Sequence, residues 1–598
     1  MRVADYIAHT LHAYGITDVF LVTGGGAMHL NDAIGRHPGL RPICCHHEQV
    51  CAMAAESYFR LTGRLAAVNV TSGPGGTNTI TGVYGAFVDS LGMIVISGQV
   101  KWETLVRSTN LPLRQLGDQE LDIIPLVQHI TKYAVMVTDP ADVRYHLERA
   151  LYLATAGRPG PVWLDVPLNV QGAQIEPSTL RAYDPAEDRL ALPTTDIPAA
   201  CQDIARRVAA AARPVVMVGT GVRISGTQQH LLDLVERWGV PVVTAWNAHD
   251  LVPDDDGHFA GRPGTIGTRA GNFAVQNADL VLVLGCRLNI RQVSYAWQYF
   301  ARAGKVIMVD IDAAELRKPT LQIELGIHAD LRELLPALSA TAYARNPAHA
   351  TWVAWCRERY HRYPACLPEY HTTASPINPY AFVDILSAVL ADDDILVTGD
   401  GTACVVTFQV LKIRRNQRLY TNSGCASMGY DLPAAIGAAI AKPGQRIICL
   451  AGDGSLQMNL QELQTVVGLN LPIKILVLNN LGYHSIRQTQ HAFFSDSLIG
   501  FDQATGVHFA PLERLAAGFG ISYSRADHLS RLADVLRDAL AAPGPQLCEI
   551  MLDKDQTFSP KVSSKRLPDG KMVSAPLEDM APFLPRDEFR SNMLVDPL

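Results

Sequence analysis

Short apolar runs ending in glycine recur along the chain, separated by stretches in which apolar positions have helical spacing. DVFLVTGGG (18–26) is the first, and LAAVNVTSGPGG (65–76) repeats the design. PVVMVGTG (214–221), DLVLVLGCR (279–287) and KVIMVDID (305–312) follow. Then come DILVTGDG (394–401), RIICLAGDG (446–454) and IKILVLNN (473–480). Runs of Val, Ile and Leu without polar alternation predict strands buried on both faces, and helices between them predict parallel connections. The expected fold class is α/β, with three consecutive parallel-sheet domains. Polar, proline-rich stretches at 172–198 and 363–378 read as linkers. They divide the chain into domains at 1–175, 190–350 and 370–555, followed by a tail at 556–598 that lacks periodicity and reads as a strap or lid. The three units share a style of sequence but no repeat.

The densest chemistry lies in the last domain. Gly452-Asp453-Gly454-Ser455 closes a predicted strand and opens QMNLQELQTVVGLN, whose Leu460, Leu463 and Val467 share a helical face; the next strand ends at Asn479-Asn480. A strand–helix–strand unit sets the carboxyl ends of neighbouring parallel strands side by side, where open α/β sheets bind ligands. The Asp453 carboxylate and the Asn480 amide oxygen are hard donors suited to Mg²⁺, and a helix N-terminus favours phosphate. Alone, Gly-Asp-Gly is also what a capped turn looks like. The Asn pair after its own strand separates the two readings. Gly399-Asp400-Gly401 has no such pair and reads as a turn only.

Composition removes other classes. The 598 residues carry a net charge of −7 and no Lys/Arg-rich run, which leaves no electrostatic footprint for nucleic acid. With 48% hydrophobic and 18% charged residues the chain is an ordinary globular one. Asp5, His9 and His12 interrupt the apolar stretch that an export signal needs, and no run nears the roughly 18 apolar residues of a membrane span. Eleven cysteines without a CxxC pair suggest buried thiols and a cytoplasmic protein.

Gly-Asp-Gly followed by Asn-Asn at this separation resembles the thiamine-diphosphate (ThDP) motif. The first 555 or so residues resemble the acetolactate synthase branch of that family: HHEQVCAMAAESYFRLTGRLAAVNVTSGPGGTNTITGVYGAFVDS (46–90) is similar to its pyrimidine-binding domain, and NSGCASMGYDLPAAIGAA (422–439) to the approach to its diphosphate domain. The resemblance implies that Glu48 exchanges a proton with the cofactor's pyrimidine and that Met428 props the cofactor in a bent shape. It places Gln119 by cofactor and substrate, and Pro74, Gly75 and Asn78 on the pyrimidine. It gives Asp453, Asn480 and the Gly482 carbonyl to Mg²⁺. Gly401, Thr402, Gly452, Gly454, Ser455, Tyr483 and His484 complete the expected diphosphate surroundings, and Gly25, His29, Asp118, Lys132 and Thr489 the substrate side. The same resemblance implies sites shared between subunits, hence a homodimer or homotetramer.

PGTIGTRAGNFAVQNADLVLVLGCRLNIRQ (263–292) is similar to the flavin-binding stretch of that branch. It implies FAD held by Gly219, Gly221, Arg287, Arg291, Asp310 and Asp330; the flavin would be structural, because carboligation is redox-neutral. The chain departs from the family at the acceptor side. Thr489 replaces a tryptophan and Asp118 a phenylalanine, changes that predict a roomier, more polar pocket. The expected activity is decarboxylation of a 2-oxo acid, pyruvate above all, with transfer of the two-carbon acetyl unit to a carbonyl acceptor. That acceptor is a second 2-oxo acid, giving acetolactate, or a polar ketone such as a keto-deoxysugar. Simple decarboxylation and carbon–carbon lyase or hydrolase chemistry are the alternatives. A non-catalytic subunit would carry damaged motifs, and Glu48, Asp453 and Asn480 are intact.

Overall fold

Strands without a polar face need cover on both sides, and the chain supplies it with helices between nearly all of them. The computed structural model describes residues 1–188, 190–494, 497–566, 569 and 572–598. The first sheet comprises β1 (Asp18–Leu21), β2 (Arg41–Cys44), β3 (Ala67–Val70), β4 (Met93–Gln99), β5 (Tyr133–Met136) and β6 (Pro161–Pro167), in the order β2-β1-β3-β4-β6-β5. The second comprises β7 (Pro214–Val218), β8 (Val242–Thr244), β9 (Leu280–Leu284), β10 (Lys305–Asp310) and β11 (Leu325–His328), in the order β11-β10-β9-β7-β8. The third comprises β12 (Ile395–Thr398), β13 (Arg418–Tyr420), β14 (Ile447–Gly452), β15 (Ile473–Asn479), β16 (Ser522–Ala526) and β17 (Gln546–Met551). Its order, β13-β12-β14-β15-β17-β16, repeats that of the first sheet strand for strand. Every pairing within these sheets is parallel.

Each order reverses next to its first strand, between β1 and β3, β7 and β9, and β12 and β14. Crevices outside the carboxyl ends of parallel strands open at such points. All three coincide with glycine-rich loops: 24–26 with 71–76, 219–221 with 285–287, and 399–401 with 452–454.

The first and third domains share one apolar core, to which Val50 and Ala54 contribute together with Leu432 and Ile436. The helix Glu48–Thr62 packs on both Pro74–Asp89 and Asp431–Ala441. Buried polar contacts fasten the seam. Ser57 donates to the Ala434 carbonyl at 2.7 Å, and the Tyr430 hydroxyl donates to Glu56 at 2.6 Å. Arg60 pairs with Glu56 and Asp89, each at 2.5 Å. The helix that starts at Glu48 is therefore rigidly placed against the domain that holds the Gly-Asp-Gly motif.

The tail is a strap on the central domain. Asn272 donates to the Leu577 carbonyl at 2.8 Å, Asn277 to that of Asn592 at 3.0 Å, and Arg302 pairs with Glu578 at 2.7 Å. Positions 567, 568, 570 and 571 of the tail lie outside the described residues. None of the described helices is long and apolar enough to cross a membrane.

Asp165 on β6 sits beneath the carboxyl edge of the first sheet, fully buried, and accepts from Ser97 at 2.6 Å and Gln99 at 3.0 Å. Burial pushes its carboxyl up to about 7. The folded protein therefore keeps a proton that the unfolded chain sheds near pH 4. The stability this gives is complete below that pH and is lost as pH rises toward 7, on the order of 1 kcal/mol per pH unit. Denaturant unfolding at pH 4.5 and pH 7.5 should show the wild type losing ground to Asp165→Asn as pH rises. A pH-independent difference between the two would contradict the assignment.

Candidate functional site

β14 delivers Asp453 to the edge of the third sheet, where its side chain is buried; Oδ1 accepts from the Gly454 amide at 3.0 Å and Oδ2 from the Gly482 amide at 2.9 Å. Burial pushes this carboxyl up to about 7. β15, its neighbour, ends in the asparagine pair, and the two members divide their work. Asn479 is structural, donating to Glu549 at 2.6 Å and accepting from the Leu481 amide at 3.0 Å. Asn480 donates to Thr402 Oγ1 at 3.1 Å, while its buried Oδ1 has no hydrogen-bond partner among the described residues. A buried acceptor without a donor costs about 1–3 kcal/mol. A cation between Asn480 Oδ1 and the Asp453 carboxylate removes that cost and returns the carboxyl to its charged form. The all-oxygen donor set suits Mg²⁺.

The loop after Asn480 is held from beneath. Arg487, 6% exposed, donates to the carbonyls of Asn480 at 3.1 Å and Leu481 at 2.9 Å. Gly482 has φ +136°, and a Cβ there would lie 2.0 Å from the Phe501 carbonyl oxygen; one at Gly454 would lie 2.2 Å from the Tyr483 ring. The Tyr483 amide donates to that same Phe501 carbonyl at 2.7 Å. Ser455 accepts from the Gly429 amide at 2.8 Å and donates to Asp431 at 2.5 Å, so it moors the turn carrying half-buried Met428. Burial pushes Asp431 up to about 6.

Three readings of this half change. The Gly399-Asp400-Gly401 loop is more than a turn, because β12 lies beside β14 and brings Thr402 onto Asn480. The segment after Ser455 is not one helix. Asn459 takes φ −134°, and its amide donates to the Gly429 carbonyl at 2.7 Å and to Gln49 at 3.1 Å. His484 faces the tail, with Nε2 2.8 Å from the Gln556 carbonyl; burial lowers its pKa, and Nδ1 is buried without a partner among the described residues.

The first domain contributes a second cluster. Glu48 opens its helix just past β2 and accepts from Asn78 Nδ2 at 2.9 Å. Gly75 faces it: a Cβ there would be 3.7 Å from Glu48 Oε1, and one at Gly73 would be 2.5 Å from the Gln119 carbonyl oxygen. Glu48, Pro74, Gly75, Asn78 and Gln119 thus converge on one edge. Beside them Gly25, Asp118 and Gln119 line an open cleft with Lys101 and Glu103. Among the described residues, no hydrogen bond or ion pair joins Glu48, Gly75 or Asn78 to Asp453, Asn480 or Gly482. Asp453 lines a different cleft, with Arg487, Asp502 and Lys554. Gln119 and Asp453 thus line different clefts.

Two residues expected on the substrate side make other contacts. The Lys132 ammonium donates to the carbonyls of Ala156 at 2.6 Å and Arg158 at 2.8 Å, with burial lowering it to about 8, so it fastens a backbone turn. The His29 ring packs on Gly172, 3.0 Å from where a Cβ would stand. Thr489 is exposed on its helix, and its hydroxyl donates to the Ser485 carbonyl at 3.0 Å; what it offers outward is a methyl group.

Outside these edges a cleft opens at the β7/β9 crossover. Gly219, Gly221, Arg287, Asp310 and Asp330 all line it, together with Arg158 of the first domain. The two glycines are demanded by packing, since Cβ atoms there would lie 2.3 Å and 2.7 Å from Gly285 atoms. Burial pushes Asp310 up to about 6. Arg291 does not line the cleft itself, but its guanidinium lies 5.7 Å from the ring centre of Trp246, which does. Much of the remaining lining comes from the first domain, Arg60, Asp89 and Ser90 among it, and carried no signal in the local sequence of the central domain.

Comparison with known proteins agrees with this geometry. Three family models match: the thiamine pyrophosphate enzyme N-terminal TPP binding domain at residues 1–125, the central domain at 201–338 and the C-terminal TPP binding domain at 399–550. Probable acetolactate synthase 2, chloroplastic, of Oryza sativa subsp. japonica is 32% identical over 582 residues, covering 94% of this chain and 84% of that one. Acetolactate synthase isozyme 1 large subunit of Escherichia coli (strain K12) is 31% identical over 562 residues, covering 94% and 95%. Acetolactate synthase large subunit of Porphyra purpurea is 30% identical, covering 92% of each. These matches make the chain a member of the thiamine pyrophosphate enzyme family, an acetolactate synthase-like, ThDP-dependent enzyme.

Proposed function

We propose that the protein is a carboligase that decarboxylates pyruvate or a close 2-oxo acid and transfers the acetyl unit to a carbonyl acceptor. The observation that carries this reading is the unsatisfied Asn480 Oδ1 beside the buried Asp453 carboxyl, a cation site at the edge that would receive a diphosphate. Bound ThDP supplies the nucleophilic carbon and the electron sink for decarboxylation. The chain does the rest. Asp453, Asn480 and Gly482 would hold Mg²⁺ on the diphosphate. Glu48, oriented by Asn78, would exchange a proton with the pyrimidine nitrogen. Met428, on the turn moored by Ser455, would support the cofactor. We read the Glu48 and Asp453 clusters as two half-sites, each completed by a second copy in a homodimer or homotetramer, as the resemblance implies.

The cleft at β7/β9 fits FAD as a structural group: Arg287 and Arg158 suit its pyrophosphate, and Asp310 and Asp330 its hydroxyls. A purified preparation with flavin absorbance of about one equivalent per chain supports this.

Acetolactate synthesis from a second 2-oxo acid is the first acceptor reading, in keeping with the relatives' names. Thr489 and Asp118 widen the choice. With its hydroxyl turned onto its own helix, Thr489 leaves space where the family has an aromatic wall, and exposed Asp118 sits by Gln119 on the open cleft. These favour a polar ketone such as a keto-deoxysugar. Pyruvate consumption across a panel of acceptors tests the proposal. Coupled product is expected with at least one acceptor, and Thr489→Trp should shift preference toward small 2-oxo acids by about tenfold or more. Acetaldehyde as the sole product with every acceptor would establish the decarboxylase reading instead.

A further inference from the structure

A cluster of Cys, His and Asp side chains lies where the linker meets the third domain. Cys366 and His371 belong to the segment between the second and third sheets, and Asp384 to the helix Pro379–Val389 that opens the third domain. Among the described residues, theirs is the group of Cys, His and acidic side chains that offers three ligand atoms all within 4.8 Å of one another. Cys366 Sγ is 3.5 Å from His371 Nε2, and that nitrogen is 3.4 Å from Asp384 Oδ2.

These distances have a direct meaning. Tetrahedral zinc with bonds of about 2.3 Å to sulfur and 2.0–2.1 Å to nitrogen and oxygen separates S from N by about 3.5 Å and N from O by about 3.4 Å. Two edges of a coordination tetrahedron are therefore already present. The third edge is bounded by the same 4.8 Å. A single imidazole nitrogen faces both partners, as a shared ion requires; in a Cys–His–Asp catalytic relay, the acid and the thiol would use different ring nitrogens.

The surroundings hold the ligands in place. Lys412 donates to Asp384 Oδ1 at 2.8 Å, which orients the carboxylate and leaves Oδ2 toward the histidine. Asn378 caps the helix of Asp384, accepting from the Tyr380 amide at 2.9 Å. The Tyr370 ring packs on the fully buried Tyr380 ring at 5.1 Å, which fixes the chain next to His371. Cys366 and Asp384 also line a cleft with His361 and Gln409, which leaves a path for the ion and a fourth position for water.

We propose that Cys366, His371 and Asp384 bind one Zn²⁺-class divalent ion, which staples the linker to the first helix of the third domain. The thiolate makes the site selective for zinc or cobalt over Mg²⁺, a hard ion that prefers oxygen. By binding the folded state alone, the ion stabilises it in proportion to the logarithm of its concentration.

The test titrates Co²⁺ into the full-length protein with Mg²⁺ and ThDP present. A thiolate-to-cobalt charge-transfer band should rise to one equivalent per chain, be displaced by Zn²⁺, and be absent in Cys366→Ser. His371→Ala should weaken cobalt binding at least tenfold. Thermal unfolding supplies a second readout: Zn²⁺ should raise the midpoint of the wild type and leave that of Cys366→Ser unmoved. A titration without the band, or a band that persists in Cys366→Ser, overturns the proposal.

Discussion

Replacing Glu48 by glutamine should lower kcat by a factor of about 10²–10⁴, the range that a positioned proton-transfer group contributes. Folding and cofactor binding should survive. Glutamine keeps the shape of the side chain and can still hydrogen-bond Asn78, whose contact at 2.9 Å orients the group. Steady-state kinetics with saturating ThDP and Mg²⁺, beside a thermal midpoint and a direct ThDP titration, separates the effects. Unchanged turnover in a fully loaded Glu48→Gln enzyme would remove the acid from the mechanism. A loss confined to KM would assign it to binding instead.

Asp453→Asn should act on the other half-site. The change removes the negative charge from a buried donor pair while preserving its size, and the remaining donors, Asn480 Oδ1 and a backbone carbonyl, are neutral. Breaking a buried charge pair costs about 3–5 kcal/mol, so the affinity for Mg²⁺ and ThDP together should fall by at least a hundredfold. Calorimetric titration of ThDP at fixed Mg²⁺ measures it, and affinity within threefold of wild type would refute the cation site. Mixed oligomers connect the two experiments. If each site joins Glu48 of one subunit to Asp453 of another, co-expressing the two inactive variants should restore about a quarter of wild-type activity, since half of randomly mixed dimers are heterodimers with one intact site. A mixture no more active than its components would place both groups in the same subunit.

Much of this was legible in the chain. Runs such as LVLVL and IICLAG have no polar face, so they form central strands wherever they fall, and 280–284 and 447–452 do. The Gly-Asp-Gly and Asn-Asn pair was legible because its members close adjacent strands of one strand–helix–strand unit, where local connectivity determines proximity. Arg487 escaped notice because a lone arginine on an amphipathic helix looks solvated; only the fold turns it under the 480–482 loop. Lys132 stands apart for the converse reason, being fastened to backbone carbonyls. Polar side chains near a motif look functional until backbone carbonyls or a neighbouring helix are seen to engage them. The linker triad had no signal either, since Asp384 joins Cys366 and His371 across a helix start.

The amino-acid order alone determined which segments are buried and that they lie parallel, because runs without a polar face need cover on both sides. Tertiary structure decided the matched strand order of the first and third sheets, the contact of Thr402 with Asn480, and the orphaned Oδ1. Those follow from which strands lie side by side. The same holds for the shared core around the helix Glu48–Thr62, which packs both on the nearby Pro74–Asp89 and on Asp431–Ala441, far away in the chain.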